Sequence, residues 1–182
     1  MKQSFSVKGL AICGVCIALA YALSYVKIFS MPLGGSVTLC SMVFICIIGY
    51  FLGWKYSLSA ALAYGILQFV QKPEIYTPMQ VVIDYGLSFM ALGLSGFFKD
   101  RKFGLQLGYL VGVTGRFLFA TLSGFVFFGE YAPEGWNPVI YSACYNGGYI
   151  YAEAGLTLII LFIPAVTHAV NRVKHTLTDP GT

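Results

Sequence analysis

The chain predicts an all-α membrane protein of six transmembrane helices, with N- and C-termini in the cytoplasm. Three observations predict it. Of 182 residues, 58% are hydrophobic and 10% charged, with a mean hydropathy of +0.76. A water-soluble domain carries about 25% charged residues, so this surface is solvated mainly by lipid. Charged residues also divide the chain into six apolar segments, and crossing the hydrocarbon takes about 20 residues of helix. Six spans use up the chain and imply one domain over residues 1–182. The positive charges, finally, are asymmetric. Lys2, Lys8, Lys55, Lys99, Arg101, Lys102, Arg172 and Lys174 fall on one side of a six-span chain, and only Lys27 and Lys72 on the other. The positive-inside rule puts the richer side in the cytoplasm.

Residues 9–26 form the first uncharged segment. It is too long for a cleaved signal peptide and runs straight into the next segment. Gly14, Ala18 and Ala22 recur every four residues, a small-residue ridge that lets helices approach closely. The ridge serves either packing within this bundle or docking onto another membrane subunit. Residues 37–54 and 56–71 give the second and third segments. The fourth, 78–98, is interrupted only by Asp84. Ionisable groups in spans are costly and mark functional positions. Gln80, Asp84 and Ser88 follow i, i+4, i+8 and share a helical face, with Tyr85 adjoining it.

The fifth segment, 103–129, contains Arg116, expected to pair with Glu153 or with helix-end carbonyls. The sixth, 145–171, contains Glu153. Tyr145, Tyr149 and Glu153 repeat the four-residue spacing, with Asn146 on a neighbouring face, a polar stripe that lipid cannot satisfy. The connectors at 30–35, 72–77 and 129–141 lie outside in this topology. The last is crowded with Tyr131, Trp136 and Tyr141 around a Pro133-Glu134-Gly135 turn, and Asn146-Gly147-Gly148 lets backbone come close to a neighbour. Interfaces attract Tyr and Trp in any case, but not such turns. Carboxylates among rings suit a flat cation, through stacking, cation–π attraction and charge-assisted hydrogen bonds.

Other chemistries find little support. Cys13, Cys16, Cys40, Cys46 and Cys144 lie in apolar runs without metal-ligand spacing and read as packing residues, so no metal or cofactor is expected. The histidines, His168 and His175, sit at the cytoplasmic end, and no nucleophile–base pair is visible, so the chain is not read as an enzyme. Net charge is a modest +4, and no nucleic-acid partner is expected. No phosphate-binding G-x-x-x-x-G-K-[ST] loop occurs, so energy for transport comes from a partner or an ion gradient.

Four stretches carry a resemblance: Met31-Pro32-Leu33-Gly34-Gly35-Ser36-Val37-Thr38-Leu39, Thr77-Pro78-Met79-Gln80-Val81-Val82-Ile83-Asp84-Tyr85, Leu92-Gly93-Leu94-Ser95-Gly96, and the run from Ser123-Gly124 to Tyr149. Most specific is Tyr131-Ala132-Pro133-Glu134-Gly135 followed by Tyr141-Ser142 and Tyr145-Asn146-Gly147. Over nearly the whole chain this resembles the thiamin-specific substrate-binding (S) components of energy-coupling factor (ECF) vitamin transporters. The resemblance implies a six-helix protein of the plasma membrane that captures vitamin outside. It also implies a membrane-embedded scaffold subunit and two ATP-binding subunits as partners. By resemblance, Asp84-Tyr85, Tyr141 and Asn146 contact the ligand, and Ala18 and Ala22 dock the scaffold. Phe128 and Trp136 stack beside Tyr85, with Glu153 in or just behind the site. Relatives carry His at the position of Ala120, Trp at that of Phe128, and Trp and Glu in the first outer loop, where this chain has residues 33–37. The alternatives are an S component for another flat heterocycle, pyridoxine-like or hydroxymethylpyrimidine, and a stand-alone transporter coupled to protons through Asp84, Glu153 and Arg116.

Overall fold

A computed structural model of the chain describes residues 5–178, so Lys2, counted above among the cytoplasmic charges, lies outside the described residues. Helix α1 (Val7–Ser24) begins at Ser6, whose hydroxyl accepts from the Gly9 N–H and satisfies one of the open donors of the first turn. Its Gly14, Ala18 and Ala22 face outward rather than into the bundle. The expected all-helical chain then departs from expectation. Strands β1 (Lys27–Ser30) and β2 (Ser36–Thr38) form an antiparallel hairpin pairing Lys27 with Thr38, Phe29 with Val37 and Ser30 with Ser36. Pro32–Gly34 turns the chain between them, and Gly34 takes φ +92°, the left-handed region that glycine enters without a steric cost.

The second apolar segment is therefore not one helix. Its start belongs to β2, Cys40 is left-handed at φ 55°, and helix α2 covers only Ser41–Leu52 before Gly53 breaks it at φ 89°. Twelve residues of helix rise about 18 Å, against a hydrocarbon core of about 30 Å. Helix α3 (Trp54–Gln71) follows at once.

Helix α4 (Pro78–Phe98) starts under a Thr77 cap and changes its winding along the way. One α turn gives way to a π segment over Val82–Leu87, then to a 3-10 segment over Ala91–Phe98. α4 is the centre of the bundle, packed against α2, α3 and helix α5 (Gly104–Phe128). Small residues make this possible. A Cβ on Gly108 or Gly112 would come within 2.8 Å of the Ser95 carbonyl oxygen or 2.9 Å of that of Leu92. Gly65 of α3 likewise faces the Tyr85 carbonyl of the π segment, where a side chain would collide with it.

Helix α6 (Pro138–Leu161) packs on α5 and is capped by Asn137, whose side chain accepts from the Val139 N–H. The sixth segment was expected to run unbroken to residue 171. Pro164 instead ends it, because proline lacks an N–H and pushes the preceding residue out of the helical region. Helix α7 (Pro164–Thr178) leaves at 82° to α6.

Among the described residues, three helices are long and apolar enough to cross a membrane, Val7–Ser24, Pro78–Phe98 and Gly104–Tyr131, and a fourth if the bent pair is one span. The three connectors assigned to the outside gather at one end. The Tyr76 ring meets Phe128 edge-on at 4.6 Å, and the Gly35 N–H donates to the Tyr145 hydroxyl at 3.0 Å.

Candidate functional site

At that end lies a cavity of about 510 Å³, bounded by the β1–β2 hairpin, α3, the π segment of α4, α5 and α6. Asp84 and Tyr85 reach it from the π segment, a winding often found at functional sites because it displaces consecutive side chains from the α-helical face. The Gln80 side-chain amide, buried, donates to Asp84 Oδ2 at 2.6 Å and accepts from the Tyr76 N–H at 3.2 Å. That chain fixes the carboxylate against the cavity wall. Ser88 also lines the cavity, but its hydroxyl donates to the Arg116 carbonyl at 3.2 Å.

The Tyr85 ring faces the cavity while its hydroxyl donates to the Lys72 carbonyl at 2.8 Å and accepts from the Glu74 N–H at 3.3 Å. Lys72 and Glu74 pair at 2.7 Å. Both line the cavity, as does Lys27.

Tyr141, Tyr145, Asn146, Tyr149 and Glu153 of α6 all line the opposite wall. The Asn146 amide nitrogen donates to the Ser142 carbonyl at 3.0 Å and the Ala120 carbonyl at 3.3 Å, and its oxygen accepts from the Tyr149 hydroxyl at 2.9 Å. Asn146 is thus held in place from three sides. The Tyr145 hydroxyl donates to the Pro32 carbonyl, in addition to accepting from Gly35, and so fastens the hairpin to α6.

Glu153, 2% exposed, is engaged from behind the site. Its carboxylate accepts from the Thr38 N–H at 3.0 Å, the Thr38 hydroxyl at 2.6 Å, the Ser41 hydroxyl at 3.3 Å and the Met42 N–H at 3.3 Å. An acid placed on the open N–H groups at the start of α2 is favoured by both hydrogen bonding and the helix dipole. Arg116 does not pair with it. The guanidinium lies 4.3 Å from the centre of the Phe89 ring and lines the cavity, with its Nε unpartnered.

Of the seven residues expected to touch ligand, Asp84, Tyr85, Phe128, Tyr141, Asn146 and Glu153 line the cavity and Trp136 does not. The Trp136 indole is 54% exposed, turned out by the Pro133–Trp136 turn in which Gly135 takes φ 82° and the Trp136 N–H donates to the Pro133 carbonyl. Ala120 lines the cavity beside Gly124. Lys27 and Lys72, which from the sequence mark only topology, line the cavity with Glu74, Gln68 and Gln71, which no sequence motif singles out. The chain position of the 72–77 connector, between an apolar run and Thr77-Pro78, was the available signal for Lys72 and Glu74.

Apolar helices long enough to cross a membrane around a ring-lined, charge-bearing cavity make a membrane protein with room for a small polar molecule. Residues 10–172 match the model of the family described as thiamine transporter protein, and the chain belongs to that family. It is 31% identical over 184 residues to the thiamine transporter ThiT of Bacillus subtilis, covering 91% of this chain and 95% of that one. Against the ThiT of Lacticaseibacillus paracasei it is 26% identical over 119 residues, 56% of this chain and 59% of the relative. The solved structure of ThiT from Listeria monocytogenes shares the fold at a TM-score of 0.69 and 23% identity, covering 86% of this chain and 94% of that one. The protein is accordingly a multi-pass protein of the bacterial plasma membrane.

Proposed function

We propose that this protein takes up thiamin as the substrate-binding component of an ECF-type importer, holding the vitamin in the cavity between the hairpin and α4 to α6. The observation that carries the reading is the Asp84-Tyr85 pair on a π segment. It sets an oriented carboxylate and a ring on the cavity wall across from Tyr141 and Asn146. Thiamin offers a flat aminopyrimidine and a cationic thiazolium. Asp84 neutralises or hydrogen-bonds the charged or amino-bearing ring, Tyr85 and Phe128 stack, and Tyr141 and Asn146 fix polar edges. Glu153 acts from behind, by holding β2 and the start of α2.

Six spans, cytoplasmic termini and a single domain belong to the same reading. Lys8, Lys55, Lys99, Arg101, Lys102, Arg172 and Lys174 then mark the inner face. α1 offers its outward Gly14, Ala18 and Ala22 ridge to a membrane scaffold subunit, which two ATP-binding subunits drive. Calorimetric titration with thiamin, pyridoxine and hydroxymethylpyrimidine tests the substrate. Saturable nanomolar binding of thiamin, about 12 kcal/mol, with weak binding of the other two, is the expected outcome. Tight binding of another heterocycle instead would assign the changed specificity to Ala120 and Phe128. Uptake into vesicles that hold this chain alone, without scaffold and ATPases, would overturn the importer assignment.

A further inference from the structure

At the end of the bundle opposite the thiamin cavity, the junction of α2 and α3 and the end of α4 leave a second notch of about 280 Å³. Leu52, Gly53, Trp54, Lys55, Gly96, Phe97, Lys99 and Asp100 line it. Two kinds of surface meet there. The Trp54 and Phe97 rings, both exposed, stack at 5.6 Å and 7° to each other and form a flat apolar ledge. Beside the ledge gather cations. Lys55 Nζ stands 5.5 Å from the Trp54 ring centre. The Lys99 stem passes close to Gly53, where a Cβ would sit 3.6 Å from its Cδ. Lys174 of α7 lays its Nζ 3.8 Å from the Tyr50 ring centre and donates to the Lys99 carbonyl at 2.6 Å. Arg101 and Lys102 follow in the next turn, and Asp100 is the one carboxylate lining the notch.

We propose that this notch is a headgroup site for an anionic phospholipid, the phosphate meeting Lys55 and Lys99 while the glycerol and upper acyl chains lie on the Trp54–Phe97 ledge. A free anion would use the ammonium groups but leave two exposed rings without a partner. A zwitterionic lipid would cover the rings and gain little from the lysines. The amphiphile that satisfies both carries net negative charge, as basic clusters at membrane-spanning helix ends select, and stacked rings at the interface match the glycerol level.

Trp54 and Trp136 are the two indoles of the chain, so Trp136→Phe leaves Trp54 as the only reporter. In nanodiscs of phosphatidylcholine doped with brominated phosphatidylglycerol or brominated phosphatidylcholine at equal mole fraction, Trp54 should be quenched with a relative association constant roughly threefold or more in favour of the anionic lipid. Lys55→Gln/Lys99→Gln should bring the ratio to about one while thiamin affinity, which confirms folding, stays unchanged; Lys55→Arg/Lys99→Arg should keep the preference. A ratio of about one in the parent protein, or a preference that survives loss of both lysines, overturns the proposal. So does loss of the preference on adding millimolar inorganic phosphate at constant ionic strength, which would make the notch a free-anion site.

Discussion

Asp84 is held by one side chain and offered to the cavity by the same contact. Gln80 binds Oδ2 at 2.6 Å, so the carboxylate meets a ligand without first losing rotamer freedom. A hydrogen bond to a charged group contributes about 1.5–3 kcal/mol, so Asp84→Asn should weaken thiamin binding by roughly 10- to 150-fold by calorimetry. An unchanged Kd would remove the electrostatic basis of the site. Glu153 should behave differently. Its truncation to Ala strands the Thr38 and Met42 N–H groups in the interior, at about 1–3 kcal/mol for each unsatisfied donor. The expected result is a thermal midpoint lowered by several degrees, a deficit that saturating thiamin reduces and does not abolish. Both acids were legible in the sequence as charges inside apolar runs. Their different duties were not, because Glu153 finds Thr38 and Ser41 115 and 112 residues away. No spacing rule reaches that far, which is also why Arg116 could be expected on Glu153 and is found on Phe89.

Among the elements, the β1–β2 hairpin is the one the sequence hid. Residues 30–35 read as a connector between a span ending at 26 and one starting at 37, and hydropathy does not separate a short strand from a connector or a span end. The hairpin's register depends on the Pro32–Gly34 turn and on a distant phenol. Tyr145 accepts from the Gly35 N–H and donates to the Pro32 carbonyl, so a single hydroxyl ties the turn to α6 at the edge of the cavity. Tyr145→Phe keeps the ring and deletes both bonds. At about 0.5–1.5 kcal/mol net for each bond, thiamin dissociation measured by stopped flow should quicken by roughly 5- to 150-fold, with a thermal midpoint lowered by a few degrees. An unchanged rate would mean the hairpin does not restrain bound vitamin. α4 makes a related point. The four-residue repeat correctly joins Gln80 to Asp84, yet nothing in it announces the π segment. That segment depends on Gly65 of α3 yielding space to the Tyr85 carbonyl, and Gly65→Val should lower both stability and thiamin affinity.

For the whole molecule, the proposed importer reading puts binding and partner docking on different surfaces, with α1 carrying the second. Apolar segmentation made a helical membrane protein readable from the sequence. The outward direction of the α1 ridge was not readable, since a small-residue stripe fits the inside of a bundle equally well. In the structure Gly14 has nothing within 4 Å of a built Cβ, and Ala18 and Ala22 are exposed, so the ridge is turned away from the bundle. Between lipid tails and a protein surface there is little hydrophobic driving force. Helices therefore associate through close van der Waals fit, and small residues supply it. A bulky side chain should consequently damage docking alone. Ala18→Trp is expected to leave thiamin affinity and thermal midpoint of the isolated protein within error. Co-purification with the scaffold subunit and ATP-driven thiamin uptake in proteoliposomes should both fall at least tenfold, since one lost interhelical contact of about 1.4 kcal/mol already costs that factor. Uptake that persists with Trp at position 18 would move the docking surface off α1. A loss of thiamin binding would instead place the ridge in the folding of the bundle.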